Sequence, residues 1–107
     1  MEMKLDEYDQ LFEGSKVFMM RNEGVGILKK ELAMNLGVTG PPLRASGVNY
    51  DLRKDQPYSV YPELDFQAIS MPDADCYARY KVRMDEMRES CKIIRQAVQK
   101  MPKGKWR

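Results

Sequence analysis

The strongest constraint on the fold is a stripe of apolar residues in the last third of the chain. Its members recur at alternating intervals of three and four residues: Tyr77, Tyr80, Met84, Met87, Cys91, Ile94, Val98 and Met101. These intervals place all of them on one face of a continuous α-helix, at the a and d positions of a heptad repeat. The opposite face is polar and carries Arg79, Arg83, Asp85, Glu86, Glu89, Lys92 and Gln96. The pattern predicts one long amphipathic helix near residues 75–100, which Asp73 or Asp75 caps and Pro102 stops.

A helix of this length needs more cover than the rest of the chain provides, because it extends over roughly 40 Å at about 1.5 Å per residue. The remaining sequence predicts only short helices, at residues 4–13, 15–21 and 29–36, and one further turn over residues 39–47. Residues 65–70, "DFQAIS", form the only plausible strand. We therefore predict a mainly α fold with at most a minor strand, in which the long helix belongs to a bundle larger than this chain.

Composition and charge exclude several classes of protein. At 107 residues, 43% of them hydrophobic, the chain suits one domain or a piece of one. Its formal net charge of +2 is too small to indicate nucleic acid or an anionic lipid surface as a partner. No apolar run approaches the roughly 18 residues that cross a bilayer. The chain contains no histidine, so the side chain that most often moves protons near neutral pH is absent.

The segment 37–62 is a Gly/Pro-rich loop with an unusual density of charged and aromatic side chains. These are Arg44, Tyr50, Asp51, Arg53, Lys54, Asp55, Tyr58 and Tyr61. One interpretation is an anion-binding or proton-transfer site. The other is that the side chains pair with the backbone donors and acceptors that an irregular segment leaves over. Arginine suits the second role because it offers five donors in a fixed fork, and we favour that interpretation.

Three further patterns carry weaker signals. Cys76 and Cys91 lie about 22 Å apart on a straight helix, too far for a shared metal ion or a disulfide bond. The sequence "GVG" at 24–26 lacks both the third glycine of a dinucleotide fingerprint and the Gly-Lys-Ser/Thr of a phosphate loop, so it predicts a turn. The basic end "KMPKGKWR", with Trp106 for stacking, is either a nucleic-acid patch or a solvated chain end, and we favour the latter.

Two long stretches, "GVTGPPLRASGVNYDLRKDQPYSVY" and "DCYARYKVRMDEMRESCKIIRQAVQKMPKG", resemble the D subunit of NADH-quinone oxidoreductase, the large hydrogenase-like subunit of respiratory complex I. The resemblance covers essentially the whole chain and implies part of the NiFe-hydrogenase large-subunit-like fold, with residues 1–107 as a single fragment of that domain. The matching positions are Gly40, Pro41, Leu43, Arg44, Ser46, Gly47, Asp51, Leu52, Arg53, Pro57, Tyr58, Tyr61, Asp75, Cys76, Tyr77, Arg79 and Tyr80.

The resemblance also implies what this chain does not hold. The family subunit is much longer, so we expect an internal or truncated fragment. The family's quinone-contacting histidine and tyrosine lie upstream, and the paired metal-binding cysteines of related hydrogenases do not match Cys76 or Cys91. We therefore assign no catalytic, cofactor-binding or metal-binding residue. The scaffold candidates are Arg44, Asp51, Arg53, Tyr58 and Tyr61. The chain departs from the family pattern at Leu28-Lys29-Lys30, where a Ser-Pro helix start is typical, and the electron donor stays open.

The implied function is structural: a scaffold near the quinone chamber of a membrane-associated oxidoreductase that takes electrons from NADH or another donor. The implied partners are other subunits of the peripheral arm, above all the one that holds the terminal iron–sulfur cluster, on the cytoplasmic side of the membrane. We expect the isolated chain to be inactive and to self-associate, with Met84, Met87, Cys91 and Ile94 near the contact. The alternatives are an independent helical interaction module without a redox role and a small nucleic-acid-binding domain that uses residues 100–107.

Overall fold

A computed structural model describes residues 2–104 of the chain, and within that range the fold is helical and without strands. The helices are α1 (Glu2–Glu13), α2 (Lys16–Asn22), α3 (Lys30–Asn35), α4 (Gly40–Arg44), α5 (Leu52–Asp55) and α6 (Cys76–Lys100). A short 3-10 helix spans Tyr61–Glu63. The mainly α prediction is confirmed, as are the three short N-terminal helices and the extra turn that becomes α4. The four-residue helix α5 is an addition that the sequence pattern did not predict.

The long helix forms where the stripe predicts it. Asp75 is its N-cap: one carboxylate oxygen accepts from the N–H of Ala78 at 2.7 Å, which satisfies a donor that the first turn leaves open. The helix runs for 25 residues and gives way to extended backbone at Met101, one residue before Pro102. Of the two predicted caps, Asp75 is therefore the one used.

Helices α1 and α2 cover the stripe over the first half of α6. The Tyr77 hydroxyl donates to Glu13 at 3.0 Å, and Arg88 donates to Asp6 at 3.0 Å, so α1 lies antiparallel to α6. Between these ends the rings of Phe12, Phe18 and Tyr80 pack together. Their centroids are 5.1 to 5.9 Å apart, within the range of favourable aromatic contacts. Three elements thus meet around one aromatic cluster.

The opposite side of α6 is also covered, and the deepest core lies there. Ala78 and Val82 are 1% and 0% exposed, and they pack with Ala45 behind α4, while Ile69 and Met71 close the cluster. The sequence reasoning placed the apolar face of α6 on the stripe alone and described the other face as polar. That description is wrong for the first half of the helix, because small residues between the charged ones let α4 and residues 69–71 approach closely.

The stripe itself divides into a covered and an exposed part. Met84 and Cys91 are 5% and 8% exposed, whereas Ile94, Val98 and Met101 are 58%, 62% and 66% exposed. α1 does not extend far enough to shield these last three residues. The length of the stripe predicted that part of it would lack cover within this chain. In the structure the uncovered part is the C-terminal end of the stripe.

The predicted strand at residues 65–70 is absent, because side chains of α6 replace a partner strand. Gln96 accepts from the Asp65 N–H at 2.8 Å and donates back to the Asp65 carbonyl at 2.6 Å. The Gln67 N–H donates to the carboxylate of Glu89 at 3.0 Å. These bonds satisfy the backbone of the segment without a second strand, so an apolar, β-prone sequence remains irregular.

In the part of the chain that the structure describes, no helix has the length and hydropathy needed to cross a membrane. Trp106, which carried the nucleic-acid alternative, lies outside the described residues.

Candidate functional site

The loop 37–62 folds around an open cleft of about 460 Å³ between α4 and α5. Its lining residues are Thr39, Gly40, Arg44, Tyr50, Asp51 and Leu52. Gly40 begins α4 with a φ of 67°, a backbone conformation that glycine adopts without strain, and Pro41 and Pro42 follow in the first helical turn. Of the charged residues singled out in the sequence, Arg44 and Asp51 line this cleft.

Arg44 is a largely buried charge at the cleft, at 7% exposure. Its Nε donates to a carboxylate oxygen of Glu86 on α6 at 2.6 Å, and its Nη2 pairs with the same carboxylate. Nη1 donates to the backbone carbonyl of Tyr50 at 3.0 Å. The Arg44 guanidinium thus connects the end of α4 and the backbone at Tyr50 to the long helix α6.

Asp51 and Arg53 form a second pair that builds α5. Asp51 is the N-cap of α5 and accepts from the Arg53 N–H at 3.0 Å, from Nε at 2.9 Å and from Nη2 at 2.5 Å. Its own N–H donates to the carboxylate of Asp55 at 2.7 Å, in the reciprocal manner of a capping box. The hydrogen bond from the Arg53 side chain holds the pKa of the Asp51 carboxyl below its ordinary value, although burial opposes this.

An aromatic cluster lies beside these pairs. The Arg53 guanidinium lies over the ring of Phe66, 5.0 Å from its centroid, and the Lys54 ammonium lies over the same ring at 4.4 Å. Tyr61 packs against Phe66 and Tyr58, with ring centroids 6.0 and 4.9 Å away. Of the five scaffold candidates, Arg44 and Asp51 line the cleft, while Arg53, Tyr58 and Tyr61 belong to this cluster. Phe66, 3% exposed, anchors it and was not singled out in the sequence.

The chemistry available at this site is that of paired charges. General acid–base catalysis calls for groups whose pKa lies near the operating pH, whereas the pairing with Arg53 moves the pKa of Asp51 away from neutrality. Every buried side-chain nitrogen and oxygen within residues 3–104 has a hydrogen-bond partner. Over the same residues, no cluster of three or more His, Cys, Asp or Glu side chains has the arrangement to hold a metal ion. Arg44, Asp51 and Arg53 are thus all paired within the chain.

The glycines at 24 and 26 form the predicted turn, which docks on the start of α6. Both have positive φ, 68° and 63°. The Gly24 N–H donates to the second carboxylate oxygen of Asp75 at 2.7 Å, and the Cys76 N–H donates to the Val25 carbonyl at 2.9 Å. A Cβ at position 26 would lie 3.0 Å from the Cys76 sulfur, so a larger residue would also crowd that side chain.

Sequence reasoning missed the ion pairs between α1 and α6. Arg88 donates to Asp9 at 2.6 Å, and Lys81 pairs with Glu13 at 2.8 Å. Burial alone would raise the pKa of the Asp9 carboxyl, but hydrogen bonds from Arg88 and Tyr80 outweigh it and lower that pKa. The sequence does indicate these pairs. Acids of α1 recur at intervals of three to four residues and the two bases of α6 are seven apart, so each set lies on one face of its helix.

Comparison with known proteins matches the whole chain to one family. The model of the family described as respiratory-chain NADH dehydrogenase, 49 Kd subunit, aligns with residues 1–107. The D 2 subunit of NADH-quinone oxidoreductase from Rhizobium etli is 48% identical over 94% of this chain and 25% of its own length. The H subunit of NAD(P)H-quinone oxidoreductase from a Synechococcus species is 50% identical over 94% of this chain and 26% of its own length.

A solved structure shares the fold. A chain of the membrane-bound sulfane sulfur reductase, an archaeal respiratory membrane complex, superposes with a TM-score of 0.89 at 39% sequence identity. The match covers 98% of this chain and 28% of that chain. The chain therefore spans about a quarter of the length of the relatives that it matches.

Proposed function

Since this chain belongs to the family of the 49 Kd subunit of respiratory-chain NADH dehydrogenase, we propose that it is a structural part of the quinone-reducing subunit of a membrane-associated oxidoreductase. In this proposal the segment 37–62 is a framework near the quinone chamber, and residues outside the matched quarter provide the chemistry. The observation that carries it is the attachment of the charged loop to α6 through Arg44 and Glu86.

The pairing within the loop supports a framework role. Arg44, Asp51 and Arg53 each use their charge on a neighbour inside the chain, so the cleft presents charges that are already balanced. A pair of this kind, largely removed from water, holds two elements in one arrangement and is costly to break. An anion-binding site would instead leave a guanidinium facing the cleft without a carboxylate beside it.

The names of the relatives support the same proposal. The matched quarter recurs in subunits named for NADH-quinone and NAD(P)H-quinone oxidoreduction and in a sulfane sulfur reductase complex. A segment common to complexes with different named reactions is better explained as framework than as the element that selects the donor or acceptor. We accordingly propose NADH or another reductant as the donor, with quinone used by the whole complex rather than bound by this segment.

The assembly and location belong to the proposal as well. We propose that the subunit lies in the peripheral arm on the cytoplasmic side of the membrane, against the subunit that holds the terminal iron–sulfur cluster. The apolar end of α6 and the exposed side chains of α1 and α2 are surfaces that a larger assembly would cover.

The test replaces Arg44 by methionine in the full-length subunit within its complex. A framework role predicts a clear fall in the amount of assembled complex, while quinone reduction per assembled complex stays unchanged. Arg83→Met is the matched control, because Arg83 is exposed on α6 and donates only to a carbonyl of its own helix. Normal assembly with turnover lost would show that Arg44 takes part in the reaction, and the framework proposal would be wrong.

The isolated chain provides a second test. We expect it neither to oxidise NADH nor to reduce quinone, because the paired charges leave no group poised for proton transfer. Steady turnover by the pure chain that disappears in Asp51→Asn would contradict the proposal.

One observation favours a second candidate, an independent helical interaction module: the exposed apolar end of α6. The length of the native polypeptide separates the two candidates. A protein several times longer, recovered with other subunits from membranes, supports the framework. A free polypeptide of about this length, recovered without oxidoreductase subunits, supports the module.

A further inference from the structure

The cleft between α4 and α5 has the size and the composition of a small-molecule site. Its volume of about 460 Å³ lies within the range of about 300–1,000 Å³ that is usual for ligand pockets. The side chains of Arg44 and Asp51, which line it, are only 9% and 5% exposed. Leu52 and Tyr50, which also line it, are 48% and 39% exposed. Buried polar groups beside apolar side chains are the combination that orients a bound molecule.

Arg44 has hydrogen-bonding capacity beyond its contacts within the chain. A guanidinium carries five N–H groups. Nε and Nη2 each pair with the carboxylate of Glu86, and one N–H of Nη1 donates to the Tyr50 carbonyl. Two N–H groups are left over, one on each terminal nitrogen, and they can donate to an acceptor in the cleft.

Asp51 supplies the complementary acceptor. Its carboxylate has about four lone-pair positions, and three N–H groups, all of Arg53, occupy them, so about one position remains. The hydrogen bond from Arg53 is the main cause of the lowered pKa of the Asp51 carboxyl, and the charge of Arg44 contributes as well. The spare donor and the spare acceptor therefore belong to groups that lie near each other.

The start of α4 leaves the cleft accessible. Thr39 is the N-cap of α4, yet its side chain makes no capping hydrogen bond, so its hydroxyl is available to a ligand. A Cβ built on Gly40 would meet no atom within 4 Å, so this part of the lining is open space.

The charges around the cleft favour a neutral ligand. Arg44 pairs with Glu86. Asp51 pairs with Arg53, so the two pairs together are neutral. An anion in the cleft would lie near the buried Asp51 carboxylate, and a cation would lie near the buried Arg44 guanidinium. A neutral group with both a C=O and an N–H avoids these repulsions, because the C=O accepts from Arg44 and the N–H donates to Asp51.

We propose that this cleft binds a small, uncharged aromatic amide. The amide group lies between Arg44 and Asp51. The aromatic ring lies against Leu52 and Tyr50. This role goes beyond the framework role, since the N–H groups of Arg44 that hold the loop to α6 are not the ones offered to the amide.

The test uses two matched photoreactive probes, 4-azidobenzamide and 4-azidobenzoate, on the full-length subunit in its assembled complex. The probes differ only in the neutral amide and the anionic carboxylate. We expect the amide to label the peptide that contains residues 39–52 about tenfold more than the benzoate at equal concentration, a factor that corresponds to roughly 1.4 kcal/mol. Excess benzamide should suppress this label, and excess benzoate should not. Equal labelling by both probes, or no label on this peptide, would overturn the proposal.

A blocking variant locates the bound amide. Leu52→Trp places a larger side chain at the cleft and should lower the label about tenfold. Gln56→Trp is the matched control, because Gln56 is exposed at the C-cap of α5 and outside the cleft lining. It should change the label less than about twofold. Equal labels in the two variants would place the amide elsewhere and overturn the proposal.

The hydroxyl of Thr39 provides a finer test. Thr39→Val keeps the shape of the side chain but removes its hydrogen bond, and it should lower the label about threefold. A label that Thr39→Val leaves unchanged would overturn the contact with this hydroxyl. Labelling is read without turnover and in assembled complexes, so its failure is distinguishable from failure of the framework role, which appears as loss of assembled complex in Arg44→Met.

Discussion

The first and second halves of α6, residues 76–88 and 89–100, carry one continuous apolar stripe but have different surroundings. In the first half the stripe is covered by α1 and α2, and the opposite side is buried against Ala45, Ile69 and Met71. In the second half the stripe is exposed from Ile94 onward, while the opposite side contacts the backbone of residues 63–67 through Glu89, Gln96 and Lys100. Identical spacing therefore specifies which face of a helix is apolar, but it does not specify what covers that face.

The largest expected difference between the halves is in stability. Val82→Asp should lower the free energy of unfolding by at least about 4 kcal/mol, because it places a charge in a fully buried site without a partner. Val98→Asp should change it by less than about 0.5 kcal/mol, because Val98 is exposed. Urea denaturation of the isolated chain measures both. Equal losses would mean that the two halves are covered alike in solution.

The next largest loss of stability is expected where the loop 37–62 is attached to the first half of α6. The side chains of Arg44 and Glu86 are 9% and 18% exposed, so removing one partner leaves a largely buried charge. We expect Arg44→Met to cost about 3 kcal/mol in denaturation experiments. The double variant Arg44→Met/Glu86→Leu should recover most of that loss. If the double variant is as unstable as the single one, the pair is not the source of the effect.

A smaller effect is expected on association of the isolated chain. The exposed stripe predicts self-association, but at Ile94, Val98 and Met101 rather than at Met84 and Cys91, which are buried. Val98→Lys should raise the dissociation constant about tenfold. Association should strengthen with salt, because the basic side chains at this end of α6 are then screened. Light scattering over a concentration series measures this, and a monomer at all concentrations and salt levels contradicts it.

The smallest expected effect comes from the ion pairs that bind α1 to the first half. The folded pKa of Asp9 lies below its unfolded value of about 3.9. Its contribution to stability is therefore complete above about pH 4 and is lost as the pH falls through the folded pKa. Asp9→Asn should remove this part of the acid sensitivity, an effect below about 1 kcal/mol. The measurement is the unfolding free energy between about pH 5 and pH 2, with the exposed Asp73→Asn as control. Parallel pH curves for the wild type and Asp9→Asn would contradict the assignment.

Features of the fold that depend on short-range interactions could be predicted from the sequence, whereas features that depend on long-range contacts could not. The helix α6 and its cap at Asp75 depend on residues within a few positions of each other, so spacing and capping rules predict them. The strand at 65–70 was predicted wrongly, because Gln96 and Glu89 compete for its backbone from a helix more than twenty residues away. Nothing in the local pattern of "DFQAIS" reports that competition.

The candidate site shows the same division. The sequence grouped Arg44, Asp51 and Arg53 correctly, because all lie within one short stretch. Their partners differ in kind: Asp51 finds Arg53 two residues away, whereas Arg44 finds Glu86 at a distance of 42 positions. Local reasoning predicts that such charges are satisfied, but only the tertiary structure identifies the partner of Arg44.

The carboxylate of Asp75 has a consequence for the order in which the chain folds. One of its oxygens closes the first turn of α6 at Ala78, and the other receives the Gly24 N–H across a separation of 51 residues. Local helix formation takes microseconds or less, whereas contacts distant in sequence wait for loop closure. The start of α6 therefore reaches its final form only when the turn at 24–26 arrives, and the amides of Gly24 and Ala78 should become protected from hydrogen exchange in a single step.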